Sequence, residues 1–131
     1  MTFVMRDYHG HCQPLADSDE AGEWFDEQTD SIMPNGRSGQ VIWFGPFDGQ
    51  PELRLDIDVE TGRAALRWLA GGDHAIELDA SETLTVMASA DGDLVIIPAR
   101  LARVSAQTAR RAVIEYIATG VRPTGIVWEA D

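Results

Sequence analysis

Between Glu52 and Glu60 the chain alternates almost without a break, with Leu53, Leu55, Ile57 and Val59 on one parity and Glu52, Arg54, Asp56, Asp58 and Glu60 on the other. Successive side chains of a strand point to opposite faces, so a period of two fits a half-buried strand and not a helix. One face is predicted to meet a core, and the other, mostly acidic, to meet water. Glu60-Thr61-Gly62 suits a short hairpin turn with glycine at its left-handed position, and 63–69 returns antiparallel. Arg63 and Arg67 are then expected near Asp58 or Asp56, where a cross-strand charge pair contributes about 0.2–1 kcal/mol.

The same reading extends along the chain. A strand is expected over 3–8, and Asp17 or Ser18 can cap a helix that runs through Glu20, Ala21, Trp24, Phe25 and Gln28, with Trp24 and Phe25 facing inward. Pro34, Asn35-Gly36 and Ser38-Gly39 make 31–39 a loop leading into a strand over 40–44, and 45–49 is a second turn. Gly71-Gly72-Asp73 turns again. Strands are expected over 74–78, 84–88 and 94–98, the last two joined through the hairpin signal Asp91-Gly92.

The last quarter is the best marked. Ser105 can accept from amides one turn on, and Val104 before it can pack against Ala109. Ala109, Ala112, Val113, Tyr116 and Ile117 recur at helical spacing and form one apolar stripe. Gly120 closes that helix, Pro123 cannot continue it, and 124–128 reads as a short strand ending in Trp128. The expectation is a single α+β domain over 1–131. Its antiparallel sheet has about six or seven strands, with an N-terminal and a C-terminal helix packed on it.

At 131 residues, 44% hydrophobic and 24% charged, the chain can bury one core without metals or disulfides. Its one cysteine, Cys12, has no internal partner, no apolar run approaches a membrane span, and the first residues lack the basic start of a signal peptide. A cytoplasmic location is expected. The formal charge of −12 is lopsided: residues 1–60 hold 13 acids against 3 Arg (−10), and residues 61–131 hold 9 against 7 (−2). Every basic residue is Arg, the type suited to fixed pairing with carboxylates. Such a surface repels nucleic acid and anionic membrane and steers a basic partner toward it.

Catalytic constellations are thin, and no catalytic residue, metal or cofactor is expected. His9-Gly10-His11-Cys12 sets two imidazoles and a thiol close together, but no second cluster completes four ligands. His74, after a Gly-Gly turn, is expected at the surface. Asp56, Asp58 and Glu60 with Asp91 and Asp93 have the composition of a calcium or magnesium site without EF-hand spacing, and a solvated strand face accounts for them. Phosphate-loop, dinucleotide and nucleophile-elbow patterns do not occur. Trp24, Trp43, Trp68 and Trp128 are all expected in the core, although Trp43 and Trp68 lie near turns, where an indole also serves an interface.

Ala109, Ala112, Glu115, Tyr116, Ala118, Thr119, Gly120, Arg122, Pro123, Ile126 and Trp128 form a pattern that resembles the C-terminus of the first-numbered family of bacterial immunity proteins, Imm one. Asp58, Gly62, Ala65, Leu66, Arg67 and Trp68 also fit, whereas the first forty residues add little. The resemblance implies a cytoplasmic antidote that binds and neutralises a polymorphic toxin, often a nucleic-acid deaminase. Under that implication the partner is a cognate, basic toxin domain, and the chain is a monomer when free and a heterodimer with the toxin. Our candidate contacts are Asp48, Glu52, Asp56, Asp58, Glu60, Asp73, Asp91 and Asp93, with Trp43 or Trp68 as anchors. The alternative reading is a small-ligand-binding or enzymatic α+β domain, which needs a concave pocket with convergent polar groups.

Overall fold

Alternation and turn chemistry place strands and helices along the chain much as expected. The computed structural model describes residues 2–31, 39–58, 60–88, 91 and 93–131. Val59, Gly92 and residues 32–38 of the expected loop lie outside the described residues. The elements in order are β1 (Phe3–Asp7), β2 (Cys12–Leu15), α1 (Ser18–Ser31), β3 (Gly39–Pro46), β4 (Leu53–Asp58), β5 (Arg63–Trp68), β6 (Asp73–Ile76), β7 (Leu84–Met87), β8 (Leu94–Ile97), β9 (Val104–Ser105), α2 (Ala106–Thr119) and β10 (Val127–Ala130).

The α+β class holds, but the sheet has about ten strands rather than six or seven. Shortness hides the two strands without an expected counterpart, β2 with four residues and β9 with two. Strands of that length are defined by backbone pairing more than by pattern. β2 contains Pro14, which lacks a donor and demotes a segment on sequence grounds, yet Leu15, Pro14, Gln13 and Cys12 pair in register with Phe3 to Arg6 on β1. β9 is the two residues that lead into α2, laid against Arg63 and Ala64 of β5.

Hydrogen bonding runs in the order β10-β6-β5-β4-β3-β1-β2, with β7 joined to β3, β8 to β7 and β9 to β5. Every pairing is antiparallel except that of β3 with β7. Both helices pack on one face. There Met5, Ile42, Phe44, Leu53, Leu55, Ile57 and Leu66 of the sheet meet Trp24, Phe25, Ala109, Val113, Tyr116 and Ile117 of the helices.

The opposite face carries a second core. Tyr8, Val41 and Ala65 are covered there by Leu84, Val86, Ile97, Leu101 and Ala102 from the β7–β8 hairpin and the segment after it. The expectation that the charged parity of β4 meets water therefore fails at its centre: Asp56 is 0% exposed. Alternation shows which residues share a face, and what covers that face comes from residues 84–102, which lie 28 to 46 positions after Asp56 in the chain.

α2 follows its signals closely. Ser105 is extended at the N-cap and its hydroxyl accepts from Thr108 N, while Gly120 takes φ +73° and donates its N–H to Tyr116 O. A Cβ at Gly120 would stand 2.6 Å from Cζ of Phe3 as well as requiring a left-handed backbone, so glycine is needed twice over. α1 is capped by Asp17, whose Oδ1 accepts from Glu20 N at 2.9 Å. Gly22 lets the helices approach, since a Cβ there would meet Arg110 Nη2 at 3.1 Å, and Arg110 reaches across to Asp26 in a two-bond pair at 2.8 and 3.0 Å. Among the described residues no helix is long and apolar enough to cross a membrane.

Candidate functional site

The candidate contacts fall into four places. Asp48 lies in the β3–β4 turn and Glu52 just before β4, while Trp68 pairs with Leu53 and Asp73 with Trp68, so these four share one end of the sheet. Asp58, the last residue of β4, and Glu60, in the β4–β5 turn, sit at the other end. Asp91 and Asp93 enter β8. The structure does not gather the set into one cluster.

Several of them already have work inside the protein. Glu52 is half-buried, and its Oε1 accepts from the Tyr116 hydroxyl at 2.6 Å. Burial and that carboxylate both push the phenol of Tyr116 upward, so it stays a donor. Asp58 organises its turn: Oδ1 accepts from Glu60 N, and its carbonyl accepts from the Thr61 hydroxyl and Gly62 N. Asp73 pairs with Arg122 at 2.7 Å, and that guanidinium lies over the ring of Trp128 at 5.5 Å. Trp68 is half-buried against the helix-side core and meets Tyr116 edge-on at 5.8 Å. Asp48, Glu60, Asp91 and Asp93 are exposed.

Trp43 and Asp56 belong to a different feature, a row that crosses the sheet on the second face. Arg6 pairs with Trp43, Trp43 with Arg54, Arg54 with Arg67, Arg67 with His74, and His74 with Glu129. Directly paired residues share a face, and like charges set opposite each other repel. Two carboxylates relieve the repulsion. Asp56 accepts from Arg54 Nε and Nη2, each at 3.1 Å, and Asp131 holds Arg67 at 3.1 Å and His74 Nδ1 at 2.7 Å. Burial raises the Asp56 carboxyl above the usual range, and Arg54 offsets only part of that. Burial acts likewise on Asp131, but hydrogen bonds from His74 and Arg67 outweigh it and hold that group low. His74 is 4% exposed, which corrects its expected surface placement. Arg63 stands opposite Asp58 in the β4–β5 register, as expected, while its guanidinium forms its ion pair with Asp79 at 3.0 Å.

The His9–Cys12 segment is spent on the β1–β2 hairpin. Asp7 Oδ1 accepts from the amides of His9 and His11, Asp7 Oδ2 lies 3.1 Å from His11 Nδ1, and Cys12 is an exposed free thiol. Among the described residues no group of three or more His, Cys, Asp or Glu is arranged to hold a metal ion. An open groove between the helices, about 390 Å³, is lined by Ser18, Asp19, Gly22, Glu23, Asp26, Arg110 and Ile114.

Two exposed features escaped the sequence reading. α1 presents Asp19, Glu20, Glu23, Asp26 and Glu27 outward, with Asp17 at its cap, so the densest acid on the surface is helical rather than on β4. The spacing of those acids carries the signal, beside the stronger one of the inward aromatics Trp24 and Phe25. Phe47 is 61% exposed beside Asp48, and an aromatic between Pro46 and Asp48 at a turn tip carries that signal too.

Fold and surface together define an acidic α+β protein whose sheet is packed on both faces. The family model for Immunity protein Imm1 matches residues 14–130, so this chain belongs to the Imm1 family, whose function is toxin immunity. Comparison with curated proteins finds no match.

Proposed function

We propose that this chain neutralises a cognate bacterial toxin by binding it in a one-to-one complex in the cytoplasm. The toxin is a nucleic-acid deaminase with a basic substrate groove, and the chain inhibits by occluding that groove, without chemistry of its own. Membership of the Imm1 family over 14–130 carries this reading. The formal charge of −12 supports the choice of partner, because a groove that holds nucleic acid is basic and an acidic surface accelerates encounter with it.

The contact set is revised by accessibility. Asp48, Glu60, Asp91 and Asp93 are open to a partner, and the outer acids of α1 join them. Asp56 supports the sheet from within, and Glu52, Asp58, Asp73, Trp43 and Trp68 contribute at most their exposed edges. Phe47 replaces the tryptophans as the aromatic anchor.

Titrating the purified toxin domain encoded beside this chain against it, with an oligonucleotide deamination assay as readout, tests each part. Activity should vanish at one equivalent. Reversing Asp19, Glu20 and Glu23 to Lys should slow association roughly tenfold and flatten its salt dependence. A bound toxin that still deaminates would refute occlusion, and strand cleavage in place of deamination would refute the toxin class.

A further inference from the structure

β8 pairs with β7 alone, which leaves its other edge open among the described residues. The register of the hairpin sets Leu84 opposite Ile97, Thr85 opposite Ile96, Val86 opposite Val95 and Met87 opposite Leu94, and Ala88 N donates to Asp93 O at 2.9 Å. Antiparallel hydrogen bonds recur at every second residue. Asp93, Val95 and Ile97 therefore turn their peptide groups toward β7, and Leu94 and Ile96 turn theirs outward.

That edge is apolar on both faces. Leu94, Val95 and Ile96 are 55, 39 and 68% exposed, and only Ile97 at the far end is buried in the second core. Edge strands are ordinarily protected by proline, charge or a cover. β2 has Pro14 and the polar Gln13, and β10 carries the exposed Glu129. Nothing comparable lies between Leu94 and Ile97, and three consecutive exposed apolar residues on an open edge are a pairing site.

We propose that β8 is the strand-addition site of this protein and that its occupant is an extended edge strand of the basic toxin domain, laid beside β8 with hydrogen bonds to Leu94 and Ile96. The identity of the occupant rests on the toxin-neutralising function proposed above and on charge. Asp91 and Asp93, both exposed, stand where the chain enters β8, and the protein carries −12 overall. A second copy would set its own Asp91 and Asp93 against this edge and carries the same net −12, so it is repelled, whereas a basic strand is drawn to the two aspartates. Backbone pairing supplies affinity, and the exposed apolar side chains of Leu94 and Ile96 favour apolar side chains at alternate positions of the incoming strand.

Ile96→Pro removes one outward donor without touching the β7 ladder, and the residue before it, Val95, stays in the extended region that a following proline favours. Ile96→Val keeps the donor and most of the side chain. With the neighbouring toxin domain as probe, Ile96→Val should bind like the wild type, while Ile96→Pro should weaken binding about tenfold or more through faster dissociation. Amide exchange at Leu94 and Ile96 should slow when the wild-type complex forms, a readout that stands even if the proline variant fails to fold. Equal affinity of folded Ile96→Pro, or unchanged exchange at both amides in a formed complex, overturns the site while leaving toxin binding intact. A wild-type dimer that Ile96→Pro abolishes, seen by sedimentation, makes a second copy the occupant and overturns the proposal. Absence of any wild-type binding to the probe removes the proposed function and this occupant together.

Discussion

Arg54→Met is the most informative perturbation of the fold, because it leaves Asp56 with no exposed surface and without the guanidinium that supplies its two shortest hydrogen bonds. Removing one member of a buried pair costs about 3–5 kcal/mol. Arg54 itself is 23% exposed, so part of its charge is solvated, and Arg67 still acts on the carboxylate across the sheet. The lower end, about 3 kcal/mol, applies. Unfolding entropy of about 2.1 cal/mol/K per residue over 131 residues turns this into a Tm fall of about 10 °C. The loss should depend on pH. Burial already raises the Asp56 carboxyl, so the native state holds that proton where the unfolded chain has released it, and stability from this group falls as pH climbs through the raised native value. Without Arg54 the native value rises further, so Arg54→Met should be milder near pH 5 than at pH 7. Arg54→Met combined with Asp56→Leu should recover most of the loss, since an apolar pair of similar volume replaces a buried ion pair at little cost. Differential scanning calorimetry of the two single variants and the double variant at pH 5 and pH 7 reads all of this. A double variant as unstable as the sum of the singles, or an Arg54→Met loss that ignores pH, would refute the reasoning.

Three further outcomes follow from single contacts. Tyr116→Phe strips the half-buried Glu52 carboxylate of its 2.6 Å donor and should cost about 1–2 kcal/mol in urea unfolding, with no change in the m-value. Gly120→Ala forces a Cβ into a left-handed residue beside the Phe3 ring and should cost about 1–3 kcal/mol; a neutral substitution would mean that the C-cap relaxes freely. Glu77 accepts from Ser105 N and the Thr108 hydroxyl at the start of α2; burial opposes its ionisation, but those bonds and the charge of Arg111 hold its carboxyl below the usual value. A lowered value means stability that is present above the unfolded value and lost as pH falls through the native one, so Glu77→Gln should cost about 0.5–1 kcal/mol at pH 7 and nothing at pH 2.

Local signals carried the local structure. The hairpin of β4 and β5 was legible because Leu53, Leu55 and Ile57 alternate with charge and Gly62 offers the turn, and α2 because Ser105 and Gly120 bracket one apolar stripe. What escaped depends on contacts distant in sequence. Asp56 and His74 look solvated by neighbours in the chain, yet Leu84, Val86, Ile97 and Leu101 cover the second face and Asp131 reaches back to His74 across 57 residues. Net charge is legible as acidity, but its concentration on the outer face of α1 depends on which side of the helix Trp24 and Phe25 bury. The open edge of β8 is a property of topology, since whether a strand lies inside a sheet or at its rim depends on who pairs with it.

Co-expression of this chain with the protein encoded beside it, scoring growth and co-purification in the same culture, tests the central claim most directly. The account predicts that the neighbour alone arrests growth, that this chain restores it, and that the two elute together in equal amounts. Arrest that persists in the presence of folded, abundant chain, with no complex recovered, would contradict it.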